Sequence, residues 1–448
     1  MLFRDKIEKF AFFLIPFSIR LIPELLNPYP IGYDNGHYIW AITNFQNVEI
    51  LPLFQDRYAP LAYIILYLVK IVTTLPSDWV LKIVPAVLFG VLGYAVGRYG
   101  ERSVDRRFGY VMILLFSFNL ASLRLSWDLL KQVMANMFLV FALPYLLDEP
   151  DTRKEVIFTV LSVLSVLSHQ TTIVNIVLII TYYSAIKKRW RFLGSLSLIG
   201  LAVSQIALRY LSDSILSSFM FLTIFDSLNF MIVSMPILVV LGGFGLYQLG
   251  WGDRVMACFL VSGFVFSLTV AGGGFAFSGW RFAATLSIPL SYYAARGSIL
   301  VGEVTRKNYV VALTVLVAAL FTAPMLLGFN PTEYTVFMPK NFSDNIFPYQ
   351  SQYEMDALIK ASKWCSINTP EDSLILTEDS MVDWLKLYSE REVQGWWSTD
   401  YEETLNNSKT IDRPVYIVWW FIEESDLVII REGFTEGSDL KVMKIVIS

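Results

Sequence analysis

The chain has 448 residues, 55% of them hydrophobic, with a mean hydropathy of +0.52 and a formal net charge of −4. Apolar runs this long and this numerous exceed what a soluble domain can bury, so the composition predicts a polytopic membrane protein. Charge is split along the chain, about +7 over residues 1–328 and about −11 over 329–448, and implies no nucleic-acid partner. Cys258 lies in an apolar run and Cys365 near the far end, poorly placed to pair, which predicts packing residues rather than a disulfide or a thiolate metal site.

A basic start, 1–9, leads into an apolar run interrupted by Arg20 and Glu24. No small-residue cleavage site follows it, so it reads as a first span with a cytoplasmic N-terminus rather than a signal peptide. Next comes NPYPIGYDNGHYIWAITNFQNVEILPLFQDRYAP, 27–60, a polar and aromatic loop. Pro28, Pro30, Gly32 and Gly36 hold its first part in turns around Asp34. From His37 to Phe45 the pattern fits a short amphipathic helix, Tyr38, Ile39, Ile42 and Phe45 on one face, resting in the membrane interface. Asp34, His37 and Arg57 put a carboxylate, an imidazole and a guanidinium at one surface, a set suited to a lipid-linked anion.

The run 61–75 is only marginally long enough to cross a bilayer and contains Lys70. Four arginines in 98–107 and four basic residues in 187–191 mark both loops as cytoplasmic, which requires that 61–75 does not cross. The spans expected are then 10–27, 79–97, 108–126, 129–147, 156–168, 172–186, 193–211, 231–248, 255–271, 282–296 and 310–328, eleven in all, with the C-terminal segment outside. This topology gathers Asp34, His37, Arg57 and Lys82 on the external face with Arg124, Trp127, Asp128, Lys131, His169, Trp280 and Arg281. Ionisable groups at such depths are costly unless they pair or act, so the cluster is a candidate site.

Residues 329–448 have the composition of a soluble module, so the chain divides into a membrane helix bundle, 1–328, and a small C-terminal α/β domain outside the membrane. An amphipathic helix over 353–367 turns Met355, Leu358, Ile359 and Cys365 inward, with a second helix at 381–388. Strands are expected at 374–377, 415–420, 427–430 and 442–447.

The segments PIGYDNGHYI, RYAPL, LKIVPA, RLSWDLL, SHQTT, WRFAATLSIPLSYYAARG and WCSINTPEDSLILT, with the later YSEREV, together resemble the GT-C superfamily of membrane glycosyltransferases, over nearly the whole chain. The resemblance is to prokaryotic and archaeal members that use polyprenyl-phosphate-linked sugars. It implies that Asp34 is the essential acid of the first external loop and Asp128 the acid of a second. RYAPL is similar to the basic-Pro-Leu motif of lipid A aminoarabinose transferases and protein O-mannosyltransferases, which implies a lipid-phosphate role for Arg57, with Tyr58 beside it. Lys82 sits where O-mannosyltransferases have an arginine. The chain departs from the latter in having Asp34-Asn35 for an acidic pair, and 395–400 only partly echoes the WWDYG signature of oligosaccharyltransferases, so the glycan, lipid or protein acceptor stays open.

The chemistry fits independently. Transfer from a lipid-phosphate sugar needs a base for the acceptor hydroxyl, here Asp34, and cations for the phosphate leaving group, here Arg57 and Arg281. His37, Tyr38, Tyr58, Lys82, Trp127, His169 and Trp280 complete the expected binding surface. A phosphate leaving group makes a metal optional, and use of Mg or Mn is left open. Bland alternatives stand beside these readings: Asp34 and Asp128 as helix caps, His169 as a satisfied tip residue, Lys82 and Arg281 as snorkelling side chains, and Trp127, Trp280, Trp396 and Trp397 as interface anchors. The functional alternative is a transporter or polysaccharide-assembly component that keeps the fold without catalysis. Polar residues crowded on one face, rather than paired broken helices at the midplane, favour the enzyme.

Overall fold

The computed structural model describes residues 2–32, 34–45, 61–169, 171–200, 219–221, 231–232, 234–246, 250–267, 269–271, 279–307, 309–326, 352–378, 381–396, 401–419, 427–434 and 440–445. Arg57, Tyr58, Trp397, the glycines 272–274 and most of the expected span 193–211 lie outside them.

Helix α1, Leu2–Leu26, lies along α4, Ser77–Ser103. Gly90, Gly93 and Gly97 fall on one face of α4, and a Cβ at Gly93 would stand 2.2 Å from Cγ of Pro16. Small residues let two apolar helices approach closely enough for dispersion contacts to hold them without help from water. Between them in sequence come α2, Asn35–Thr43, and α3, Leu61–Thr73. Among the described helices, α4 alone is long and apolar enough to cross a membrane.

The expected uninterrupted span 108–126 is broken. Helix α5, Arg106–Ser117, and α6, Leu120–Asp128, meet at 66°. Asn119 causes the break: its backbone is extended and its side chain accepts the Ser122 N–H at 3.1 Å, a cap that starts a new helix. A second break at Leu129 separates α6 from α7, Leu130–Ala142. The bundle continues through α8, Thr152–Ser168, and α9, Thr172–Ile186, then α10, Pro236–Gly245, and α11, Trp251–Ser267. A short helix, α12, Gly279–Thr285, runs on into the long α13, Ser287–Thr305, before α14, Tyr309–Leu326. Helices α10 and α13 cross backbone to backbone, since a Cβ at Gly297 would lie 2.0 Å from the Leu241 carbonyl oxygen.

Residues 352–445 build a five-stranded mixed sheet in the order β4-β3-β5-β7-β6. Its strands are β3, Leu374–Glu378, β4, Glu392–Trp396, β5, Val415–Trp419, β6, Leu427–Arg431, and β7, Lys441–Ile445. Two short strands in the bundle, β1, Phe219–Phe221, and β2, Thr269–Ala271, pair antiparallel. Helix α15, Gln352–Asn368, buries Met355, Leu358, Ile359 and Cys365 as its periodicity predicts. Helix α16, Val382–Ser389, follows, and α17, Tyr401–Ser408, and strand β4 are elements that the sequence reading did not mark. Trp396, read as an interface anchor, is instead a core residue of β4, 4% exposed and edge-on to Trp419.

Candidate active site

Glu24, near the end of α1, shapes the loop that follows. Its carboxylate meets Arg20 at 2.5 Å with both side chains fully buried, and its oxygens accept the Ile31 N–H at 3.2 and 3.3 Å. From the other side the Asn35 amide donates to the Ile31 carbonyl at 2.6 Å. Lys82 of α4 donates to the Asn27 carbonyl and stands 5.3 Å from the centre of the Trp79 ring. The charges that interrupt the first apolar run are therefore paired within the fold, as buried charges must be. Lys82, a binding candidate in the sequence, directs its ammonium to this loop.

Asp34 stands immediately before α2. Its backbone is already helical, φ −68° and ψ −9°, and its side chain makes no capping bond. A capping Asp takes an extended backbone and accepts an N–H two or three residues on. Asp105 does so elsewhere in this chain, accepting the Phe108 N–H at 2.7 Å from a φ of −162°. The capping alternative for Asp34 is thus not realised, and its partly exposed carboxylate is not used in closing the helix.

Six of the nine residues of α2 are buried, so the helix lies between the bundle and the C-terminal sheet's helices rather than with one face open to lipid. His37 uses both ring nitrogens: Nδ1 is 2.7 Å from Asp383 Oδ2 of α16, and Nε2 is 2.8 Å from the Tyr63 hydroxyl of α3. Tyr38 is fully buried, its ring 5.4 Å from that of Tyr63. Burial, reinforced by Tyr63 and Asp34, pushes the Tyr38 hydroxyl well above the usual phenol range, and Arg281 acts against this. One buried phenol therefore feels both the candidate base and the candidate cation.

Lys131, at the start of α7, places Nζ 5.4 Å from the centre of the Tyr63 ring. Gln132 beside it donates to the Arg281 carbonyl at 2.8 Å, bracing α12 against α7. His169 ends α8, 3% exposed, with Nδ1 2.8 Å from the Thr171 hydroxyl. Burial first, then Arg281 and Lys131, lower its pKa well below the usual imidazole value and hold it neutral. The structure thus gathers Asp34 and Tyr38 of the α2 segment, Lys131, His169 and Arg281 from four separate segments, with His37 on the same helix as Tyr38.

The remaining candidates divide. Trp127 is buried and lies 5.9 Å from the Arg20 guanidinium, on the side of the buried ion pair. Asp128 is the last residue of α6, and the N-cap of α7 is Leu129, so Asp128 does not occupy the capping position. Trp280 is the second residue of α12. Sequence reading missed Tyr63 and Asp383; an isolated tyrosine in an apolar run and an acid on a short amphipathic helix carry no local signal of a shared site. Among the described residues no three of His, Cys, Asp and Glu converge as metal ligands. Mg or Mn bound through one or two carboxylates and donor phosphate oxygens needs no such trio, and no step is derived through a metal.

No protein-family model and no curated protein sequence matches the chain. Solved structures do. ArnT from Cupriavidus metallidurans bound to undecaprenyl phosphate superposes with a TM-score of 0.58 at 9% identity, over 97% of both chains. The archaeal oligosaccharyltransferase AglB from Archaeoglobus fulgidus, in complex with an inhibitory peptide and a dolichol-phosphate, gives 0.57 at 12%, over 92% of this chain and 70% of that one. The Archaeoglobus fulgidus oligosaccharyltransferase with Zn and sulfate gives 0.53 at 13%, over 91% and 68%. All are GT-C glycosyltransferases, and the likeness is one of fold.

Proposed function

We propose, from the premise that this chain carries the GT-C fold, that it is an integral-membrane glycosyltransferase moving one sugar from a polyprenyl-phosphate carrier to an acceptor at the external face. The observation that carries the reading is Asp34, a partly exposed carboxylate on a braced turn that makes no cap, beside a buried phenol that also feels Arg281. In the reaction Asp34 takes the proton of the acceptor hydroxyl. The acceptor oxygen attacks the anomeric carbon as its bond to the phosphate oxygen breaks, and the configuration inverts. Arg281 and Lys131 offset the negative charge released on the phosphate, with Arg favoured for its planar fork. Arg57 and Tyr58 belong to the same reading as carrier contacts, and His169, neutral, is a hydrogen-bonding partner rather than a cation.

Support for the lipid-linked donor comes from the neighbours solved with dolichol-phosphate and undecaprenyl phosphate. The proposal keeps the eleven spans, the cytoplasmic N-terminus and the division into 1–328 and 329–448. Transport without catalysis is the second reading, favoured by the 66° break between α5 and α6, because broken helices line transporter sites.

Asp34→Asn preserves shape but cannot accept a proton, so transfer from a radiolabelled polyprenyl-phosphate sugar should fall about a hundredfold or more, while carrier binding survives. Near-normal transfer by Asp34→Asn would retire the base assignment and leave Asp128 as the acid to test. Uptake of the sugar carrier into proteoliposomes without any transfer would favour the transporter.

A further inference from the structure

We propose that Asp383, on helix α16 of the C-terminal sheet's layer, is a positioning residue for the site: through His37 and Tyr63 it sets the cation Lys131, so that the site is complete only with α16 seated. The proposal rests on the reading that Lys131 faces a carrier phosphate. Its geometry does not depend on that reading.

An ionised carboxylate only accepts hydrogen bonds. With Asp383 Oδ2 2.7 Å from Nδ1, that nitrogen of His37 carries the proton, and in the neutral ring Nε2 is then bare. Nε2 accepts from the Tyr63 hydroxyl at 2.8 Å. With His37 neutral, the chain Asp383, His37, Tyr63 has one consistent arrangement of protons, with each bond polarised away from the carboxylate. Electron density is drawn toward the Tyr63 oxygen and ring, and the Lys131 ammonium lies 5.4 Å from the centre of that ring. A richer phenol ring holds a cation more firmly. Tyr63 itself is fully buried, with its ring edge-on to His37 at 5.9 Å, so its position leaves little room for another rotamer.

The contact is built rather than incidental. Trp384, the neighbour of Asp383, is fully buried, and any Cβ at Gly36 would meet its ring at 2.6 Å. Glycine in the first turn of α2 is what lets α16 come close enough for Asp383 to reach the histidine one residue on. A surface ion pair between two mobile side chains would lack this support.

Only two histidines exist in the chain, which makes the test direct. The purified full-length protein is labelled with ring-15N histidine in detergent, and His169 serves as the internal reference. The wild type should show His37 as a neutral ring protonated on Nδ1. Asp383→Leu, close in shape and without an acceptor, should shift His37 toward a mixture of tautomers while His169 stays unchanged. Asp383→Asn, whose amide oxygen can still accept, should restore part of the wild-type signal. Affinity for undecaprenyl phosphate alone, measured without any transfer, should fall about tenfold in Asp383→Leu. It should fall no further in the double variant Asp383→Leu/Tyr63→Phe, because both act on one chain. An unchanged His37 spectrum in Asp383→Leu, a wild-type His37 protonated on both nitrogens, or a tautomer shift with undiminished carrier affinity each overturns the proposal. A tautomer shift and weakened carrier binding in a protein that transfers no sugar would sustain it and remove the glycosyltransferase reading instead.

Discussion

Arg20, Glu24 and Lys82 on one side of the first loop, and Asp34, Lys131 and Arg281 on the other, draw on the same residue types, yet the fold treats them differently. In the first group the partners are internal: the pair Arg20–Glu24 is sealed from solvent, Glu24 also holds the Ile31 N–H, and Lys82 holds the Asn27 carbonyl. In the second, Asp34 makes no cap and remains partly exposed, while Lys131 stands 5.4 Å from the centre of the Tyr63 ring and, with Arg281, adds to burial in lowering the His169 pKa. A charge within an apolar chain is thus no sign of function by itself. What matters is whether the fold already uses the group that it had to desolvate.

Breaking the first group should therefore cost stability, where Asp34→Asn costs turnover. Glu24→Leu leaves the Arg20 guanidinium buried without its carboxylate and should destabilise by about 3–5 kcal/mol. Arg20→Met with Glu24→Leu should recover much of that loss, since a buried pair replaced by apolar side chains is often neutral. Denaturation in a fixed detergent measures both, and equal losses in the single and double variants would break the comparison.

Trp384→Ala addresses the joint between the two layers. Removing a fully buried indole should cost about 3–5 kcal/mol locally. Proteolysis should release residues of α16 and β4 before the bundle is cut. Gly36→Ala should produce the same protease sensitivity more weakly, because the indole must shift away from the added Cβ.

A smaller effect separates His169 from an exposed imidazole. Its folded pKa lies well below the ordinary value because of burial, so as pH falls through about 6.5 the unfolded chain binds a proton that the folded one does not. Stability should therefore rise with pH across that window and be lost on acidification, by at most about 1.4 kcal/mol per unit. In His169→Gln this part of the slope should vanish, as melts at pH 7.5 and pH 5.5 would reveal. The smallest change belongs to the solvent-facing pair Arg413–Glu392, 2.7 Å apart: Arg413→Ala should alter stability by about 0.5 kcal/mol or less, and by less still in high salt.

The order of the elements was largely legible along the chain because it depends on local patterns. Apolar run length and basic loops placed helix 172–186 at the observed bounds, and hydrophobic periodicity turned Met355, Leu358, Ile359 and Cys365 of α15 inward. Turn-forming prolines and glycines placed Asp34 in turns before a short helix, and residue chemistry, the charge-derived topology and the family resemblance together named Asp34, His169 and Arg281 as candidates. Tertiary structure decided the rest. Asn119 capped a new helix where the hydropathy ran on unbroken, because one side-chain bond to a backbone N–H outweighs an apolar average. Lys82 and Trp127 were given to the support of the loop, since a buried ammonium must find a carbonyl and a buried guanidinium a neighbour. Asp383 and His37 are separated by 346 residues, and no periodicity, spacing or local propensity relates them. The packing of Trp384 on Gly36 lets α16 approach α2 closely enough for the two to hydrogen-bond.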